Sequence, residues 1–169
     1  MWRVLLLASL FAILGLGTAA YAGCTSCLTS VFVNRGATID LTFNASALKV
    51  SGKGEPPDDV PKVQETMLSE NVLDVAKYPI IAFRSRQIAV ENRAGNHVRL
   101  RVVGDLTLHG VSRQIESPVD VNLSADRLTA TGTLAVSQTQ FGIKPVSAGL
   151  GTVKVKDEVT VSYTFTAHR

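Results

Sequence analysis

The chain is poor in the residues that most catalytic and nucleic-acid chemistries need. Of its 169 residues only 6% are aromatic, 18% are charged, three are histidine and two are cysteine. Few aromatics, and no block of Lys or Arg behind the net charge of +3, leave nucleic-acid binding without support. The histidines, His97, His109 and His168, form neither an HExxH motif nor an i, i+4 pair, so no metal-site signature is present. A GxSxG elbow, a phosphate loop and a dinucleotide fingerprint are all missing. Asp105, Glu116 and Asp120 fit solvated strand and turn positions better than an acid–base pair, and His109 beside Gly110 fits a turn. No catalytic residue, metal or cofactor is expected, so the chain does not read as an enzyme.

One long hydrophobic run stands apart. Arg3 is followed by an apolar core from Val4 to Leu16 and then by Ala20-Tyr21-Ala22. Positive start, apolar stretch and small-x-small site are the order of a secretory leader. The core is shorter than the roughly 20 residues that a membrane span needs. Residues 1–22 are therefore expected to be a signal peptide cut after Ala22, giving a periplasmic or secreted protein. Ala22-Gly23-Cys24 also fits a bacterial lipoprotein signal, although Tyr21 replaces the usual aliphatic residue. Lipidation of Cys24 would anchor the chain to the envelope membrane instead. Cys24 and Cys27, in a short 23–36 segment, suit a local disulfide in an oxidising compartment. No strand-to-helix context favours a redox pair, and no second cysteine pair favours a metal.

The rest alternates with period two, the pattern of half-buried strands. His97 to Arg113 holds the clearest case. Val98, Leu100 and Val102 oppose Arg99, Arg101 and Val103, and Leu106 and Leu108 continue beyond Gly104. A glycine inside such a run predicts a bulge or bend. Ile39, Leu41 and Phe43 form an earlier strand; Ile81, Phe83, Ile88 and Val90 follow; Ile115, Val119, Val121 and Leu123 return from the central hairpin. Leu128 to Val136 and Val159 to Phe165 close the series. Between strands, Ser51 to Asp59 is rich in Gly, Pro and Asp, which is loop chemistry. Asp59 and Pro61 then open one short helix with Val60, Val63 and Met67 inward and Lys62, Gln64 and Glu65 outward. Closely spaced amphipathic strands with a single helix predict an all-β fold, an antiparallel sheet that curls into a barrel over residues 37–168. Such an interior is either filled by side chains or holds one small ligand.

Several segments, in order, resemble the YceI-like family: Leu73-Asp-Val-Ala-Lys-Tyr-Pro79 leading to Phe83, Val103-Gly-Asp-Leu-Thr-Leu-His-Gly-Val-Ser-Arg113, Phe141-Gly-Ile143 and Val155-Lys-Asp-Glu-Val-Thr-Val161. The resemblance covers most of Ala37 to Ala167. It implies a lipocalin-like antiparallel β-barrel, exported in bacteria, whose apolar tunnel binds a polyisoprenoid or another long-chain fatty amphiphile. It carries over no catalytic residue. Its recurrent Tyr78, Pro79, Phe83, Gly104, Leu106, Gly110, Phe141 and Gly142 suit scaffold and ligand contact alike. Ligand-lining positions expected on this basis are Phe83, Leu100, Leu106, Leu134, Phe141, Val161 and Tyr163, and the same side chains would otherwise fill a dry core. The chain departs from the family at its start, where Cys24 to Gly36 is too short for the usual opening hairpin. The barrel is therefore expected to be incomplete, with an edge closed by a homodimer partner, a membrane or the lipid. The alternative function is an envelope interaction protein that docks a partner on that open edge without a small-molecule ligand.

Overall fold

In a computed structural model, which describes residues 9–14, 20–24, 28–34, 38–50, 56–148 and 153–168, strands dominate. They are β1 (Ser9–Leu14), β2 (Ala20–Cys24), β3 (Leu28–Asn34), β4 (Thr38–Asn44), β5 (Lys49–Val50), β6 (Ile80–Ala94), β7 (His97–Leu108), β8 (Val111–Leu123), β9 (Arg127–Ser137), β10 (Ser147–Ala148), β11 (Val153–Lys154) and β12 (Glu158–His168). Among the described residues the one α-helix, α1, spans Val60–Leu68, and 3-10 turns cover Ala45–Ala47 and Gln138–Phe141. Ten strands form one antiparallel sheet in the order β3-β4-β6-β7-β8-β9-β12-β1-β2-β5. Only the 3-10 turn and Leu48 separate β4 from β5, which lie at opposite ends of that order. The sheet must therefore curl back on itself.

The hairpin β1–β2 lies between β12 and β5, with Leu14 opposite Val159 and Ala22 opposite Val50. The residues with leader composition thus fill the place where an opening hairpin was expected to be missing. A short run of Leu, Phe, Ile and Ala has no period that separates a leader from a buried strand, so composition alone does not reveal this pairing. Cys24 ends β2, and Cys27 lies outside the described residues.

Even-numbered residues of β7 face inward without a break: Val98, Leu100, Val102, Gly104, Leu106 and Leu108. Gly104 does not bulge. The irregularity sits across from it on β6, where Ser85 pairs with Gly104 but Gln87 pairs with Val103, leaving Arg86 extra. A Cβ on Gly104 would lie 2.5 Å from both the Arg84 carbonyl oxygen and Phe83 Cζ. The glycine is there because the Phe83 ring lies over it.

The barrel has one closed end. Phe43, Leu48 and Met67 are buried there with the half-buried Leu73 and Phe165 packed against them, and Val136, Phe141 and Ile143 are buried under the half-buried Leu106, Leu134 and Val161. Gln64 of α1, expected to face outward, instead points at β5. Its Nε2 donates to the Leu48 carbonyl at 2.9 Å and its Oε1 accepts the Val50 N–H at 2.8 Å. That amide completes the backbone pairing of a two-residue strand and seats the helix on this floor.

The Gln138–Phe141 turn is held to the same end by Asp157. Its carboxylate accepts from Ser137 Oγ at 2.5 Å, Thr139 N–H at 2.8 Å and Thr139 Oγ1 at 2.9 Å. These donors, Ser137 first, hold the Asp157 carboxyl below the usual carboxylate range. A depressed folded-state pKa contributes stability that is complete above the unfolded value and is lost as pH falls through the folded one. Asp157→Asn is expected to melt earlier than the parent at neutral pH. The two melting curves should converge at pH well below the ordinary value of 3.8. Equal separation of the curves at both pH values would show that the charge does not matter.

Candidate functional site

The opposite end is a mouth. It is framed by the β6–β7 turn at Gly95, the β8–β9 turn near Asp126, and the end of β12. The strands β4 and β1, which flank β6 and β12, stop short of the mouth. β4 pairs with β6 from Ile80 to Arg84, and β1 pairs with β12 from Val159 to Thr164. Among the described residues, no strand pairs with Gln87–Ala94 on the side away from β7. The upper wall is therefore a half-barrel, open laterally between β6 and β12.

Its inner wall is apolar. Val102, Val119 and Val121 are buried, and Phe83, Ile88, Leu100, Leu128 and Tyr163 pack round them while staying partly exposed. Val90, opposite Leu100 on the inner row, is 65% exposed. A filled core would cover these groups. Here water reaches an apolar wall that a hydrophobic chain could cover instead, at about 25 cal/mol per Å² of surface removed from water.

The seven expected lining residues divide between two levels. Phe83, Leu100 and Tyr163 belong to the mouth-side wall, whereas Leu106, Leu134, Phe141 and Val161 belong to the floor. Phe141 is 1% exposed and serves as floor packing. The other six are partly exposed on the inner face. Residues not picked from the sequence add to the wall: Ile88, Val90, Val98 and Leu128 are inner-row aliphatics of the same kind.

One polar pair sits within this wall. Ser117 Oγ and Tyr163 Oη are 2.7 Å apart. Burial pushes the Tyr163 phenol above its ordinary value, with the Ser117 bond acting in the opposite direction. The ring lies over Gly132, where a Cβ would overlap Tyr163 Oη and Cζ. Sequence reasoning could have found the packing signal, a glycine opposite a tyrosine in adjacent strands, only with the register known.

The outer face is different in kind. Arg84 pairs with Asp40 at 3.4 Å and Arg86 with Asp105 at 2.6 Å; Arg99 and Arg101 both approach Glu91, at 3.6 and 3.8 Å, and reach on to Asp120 and Glu116. A shallow trough of about 330 Å³ on this face is lined by Asp40, Arg84, Asp105, Thr107 and Ser112. Asp40 is paired within it by Arg84 and Asp105 from beside it by Arg86, so it offers little net field to a ligand. His109, in the β7–β8 turn at φ 50°, approaches the Phe141 carbonyl at 3.3 Å through Nδ1 and packs edge-on to Tyr78 with ring centres 4.6 Å apart. It joins the turn to the floor.

A curled antiparallel sheet with a packed floor, an apolar inner wall and a matched-charge exterior defines a cup-shaped barrel. The chain belongs to the YceI-like domain family, which it matches over residues 23–167. Its fold is that of Burkholderia cenocepacia BcnA, at 19% identity and a TM-score of 0.71 over 95% of this chain and 96% of that one. It is also that of a polyisoprenoid binding domain from Saccharophagus degradans implicated in plant cell wall breakdown, at 14% identity and a TM-score of 0.69, covering 96% and 93% of the two chains. A YceI protein of Campylobacter jejuni aligns at 12% identity with a TM-score of 0.63, over 83% and 79%. No curated protein matches the chain in sequence.

Proposed function

We propose that this protein is an exported, non-enzymatic carrier of a polyisoprenoid or similar long-chain amphiphile, held against the inner wall of the half-barrel. The observation that carries this reading is the apolar wall left partly open to water, with Val90 at 65% exposure and Leu100 and Leu128 incompletely covered. The Saccharophagus domain of the same fold, described as polyisoprenoid binding, supports the ligand class. The family match begins at residue 23, directly after the expected cut at Ala22, which supports export. Such a cut would remove β1 and most of β2 and bare the β12 edge from Val159 to Thr164, widening the opening. The unpaired Gln87–Ala94 edge favours a partner-docking reading as well, but the extra residues Arg86 and Glu91 interrupt its regular ladder and make it a poor template for a further strand.

Native mass spectrometry of protein purified from its own host, before and after organic extraction, tests the proposal. A co-purifying long-chain adduct that extraction removes is expected, on a polypeptide whose intact mass starts at Gly23. A bare monomer that also fails to take up added isoprenoid would overturn the carrier reading.

A further inference from the structure

The β6–β7 pairing carries a second register shift: Val90 pairs with Leu100, but Asn92 pairs with Arg99 and Arg93 with Val98, leaving Glu91 extra. Paired residues of an antiparallel ladder share a face. Val98 and Leu100 face inward, so Val90 and Arg93 belong to the inner row, while Asn92 and Arg99 belong to the outer one. Were Glu91 paired in a regular ladder instead of bulged, alternation from Val90 would put Asn92 inside and Arg93 outside.

That single displacement changes the chemistry of the mouth. Along β4, β6, β7, β8, β9 and β12, inner-row positions carry no acidic residue and two basic ones, Arg93 and Arg113. Arg113 lies at the floor end and is committed to backbone, with Nε donating to the Gln140 carbonyl at 3.1 Å and Nη1 to that of Ser112 at 3.3 Å. Arg93 lies at the mouth and is exposed. Whereas Arg84, Arg86, Arg99 and Arg101 each meet a carboxylate, Arg93 has no ion pair among the described residues. The nearest acid in sequence, Glu91, is already engaged by Arg99 and Arg101.

We infer that Arg93 receives the oxyanion head group of the carried amphiphile, whose tail lies along Val98, Leu100 and the wall beneath. This rests on the carrier reading and adds the charge of the head. A guanidinium offers a fork of donors that matches phosphate or carboxylate oxygens in pairs. Here it stands where an amphiphile anchored by its tail would leave its polar end. The apolar wall below supplies no cation, so an ionised head has its best position at the mouth.

Two probes of equal chain length, geranylgeranyl monophosphate and geranylgeraniol, test the assignment by titration against the full-length protein. Parent protein is expected to bind the phosphate the more tightly, with an affinity that falls as salt rises. Arg93→Gln should weaken phosphate binding by about tenfold, within the usual range for a charge-assisted hydrogen bond, and leave the alcohol unchanged. The double variant Asn92→Arg/Arg93→Asn keeps net charge and moves the cation to the outer row, and it should behave like Arg93→Gln. Full phosphate affinity in that double variant, or equal binding of both probes by parent and Arg93→Gln, would overturn the head-group assignment and leave the carrier standing. Binding of neither probe by the parent would remove the carrier reading itself.

Discussion

Phe141→Ala is expected to destabilise the protein by about 3–5 kcal/mol, the usual range for emptying a buried aromatic site. The ring is 1% exposed and forms one buried cluster with Val136 and Ile143, against which Leu106, Leu108, Val111, Leu134 and Val161 pack. It therefore ties β7, β8, β9 and β12 together at one point. Collapse of the site is restricted, because the turn that carries Phe141 is itself fixed through Asp157 and ends in Gly142 at φ 74°. Little relaxation means that most of the cavity term is felt. Since a domain of this kind has about 5–15 kcal/mol in all, the loss is a large fraction. Urea unfolding should show a lower midpoint with the slope of the transition unchanged. Phe141→Leu should recover much of the difference. A loss of unfolding free energy below about 1 kcal/mol for the alanine variant would mean that the floor repacks freely, unlike the Leu→Ala cavities in rigid cores.

Gly132→Ala should be the second large effect, for the opposite reason. Its methyl would overlap Tyr163 Oη and Cζ and approach the Pro118 carbonyl oxygen at 2.8 Å. Overpacking of this kind costs about 1–3 kcal/mol, and the backbone oxygen of Pro118 cannot retreat as a flexible side chain would. The phenol would have to leave Ser117 Oγ, which breaks the buried hydrogen bond of the inner wall. The diagnostic measurement is a double-mutant cycle with Tyr163→Ala. With the ring gone, the methyl loses its main obstacle, so Gly132→Ala should cost far less in that background, a coupling of about 1–3 kcal/mol between neighbours. Strict additivity would place the fault elsewhere than the ring.

Much of the barrel is legible in residue order, because period-two alternation is a local property. Val98 to Leu108 and Val159 to Phe165 announce their inner faces without any knowledge of their partners. What stays hidden is set by pairing. Arg86 and Glu91 are bulge residues only because of what lies opposite them, and nothing in Arg86-Gln87 or Glu91-Asn92 marks an extra residue. Gln64 reads as a solvent-facing helix residue until β5 is seen to need its amide. The leader-like run from Val4 to Leu16 is ambiguous for a deeper reason, since export machinery and a sheet interior both select a short apolar stretch. Of the seven expected wall positions, Phe141 is the one that is fully buried, because a 3-10 turn, invisible to alternation, carries it inward. Arg93, the mouth residue of greatest interest, was invisible because alternation carried through the bulge assigns it to the wrong face.

Glu91 has a bearing on how such a barrel can change over generations. An inserted or deleted codon is ordinarily ruinous within a strand, since every side chain beyond it exchanges inside for outside. At Glu91 that rule does not apply: Asn92 already lies opposite Arg99 and Arg93 opposite Val98, so loss of the extra residue would restore a regular ladder and leave Asn92, Arg93 and Ala94 on their present faces. On the far edge no described strand depends on them. A change of chain length by one residue at this point is therefore absorbed by the bulge, with Arg93 still at the mouth and every amino acid of the wall in its place. In a lineage of such barrels, a gap in an alignment at this position would leave the mouth as it is, whereas a gap elsewhere in the same strand would turn its inner row outward.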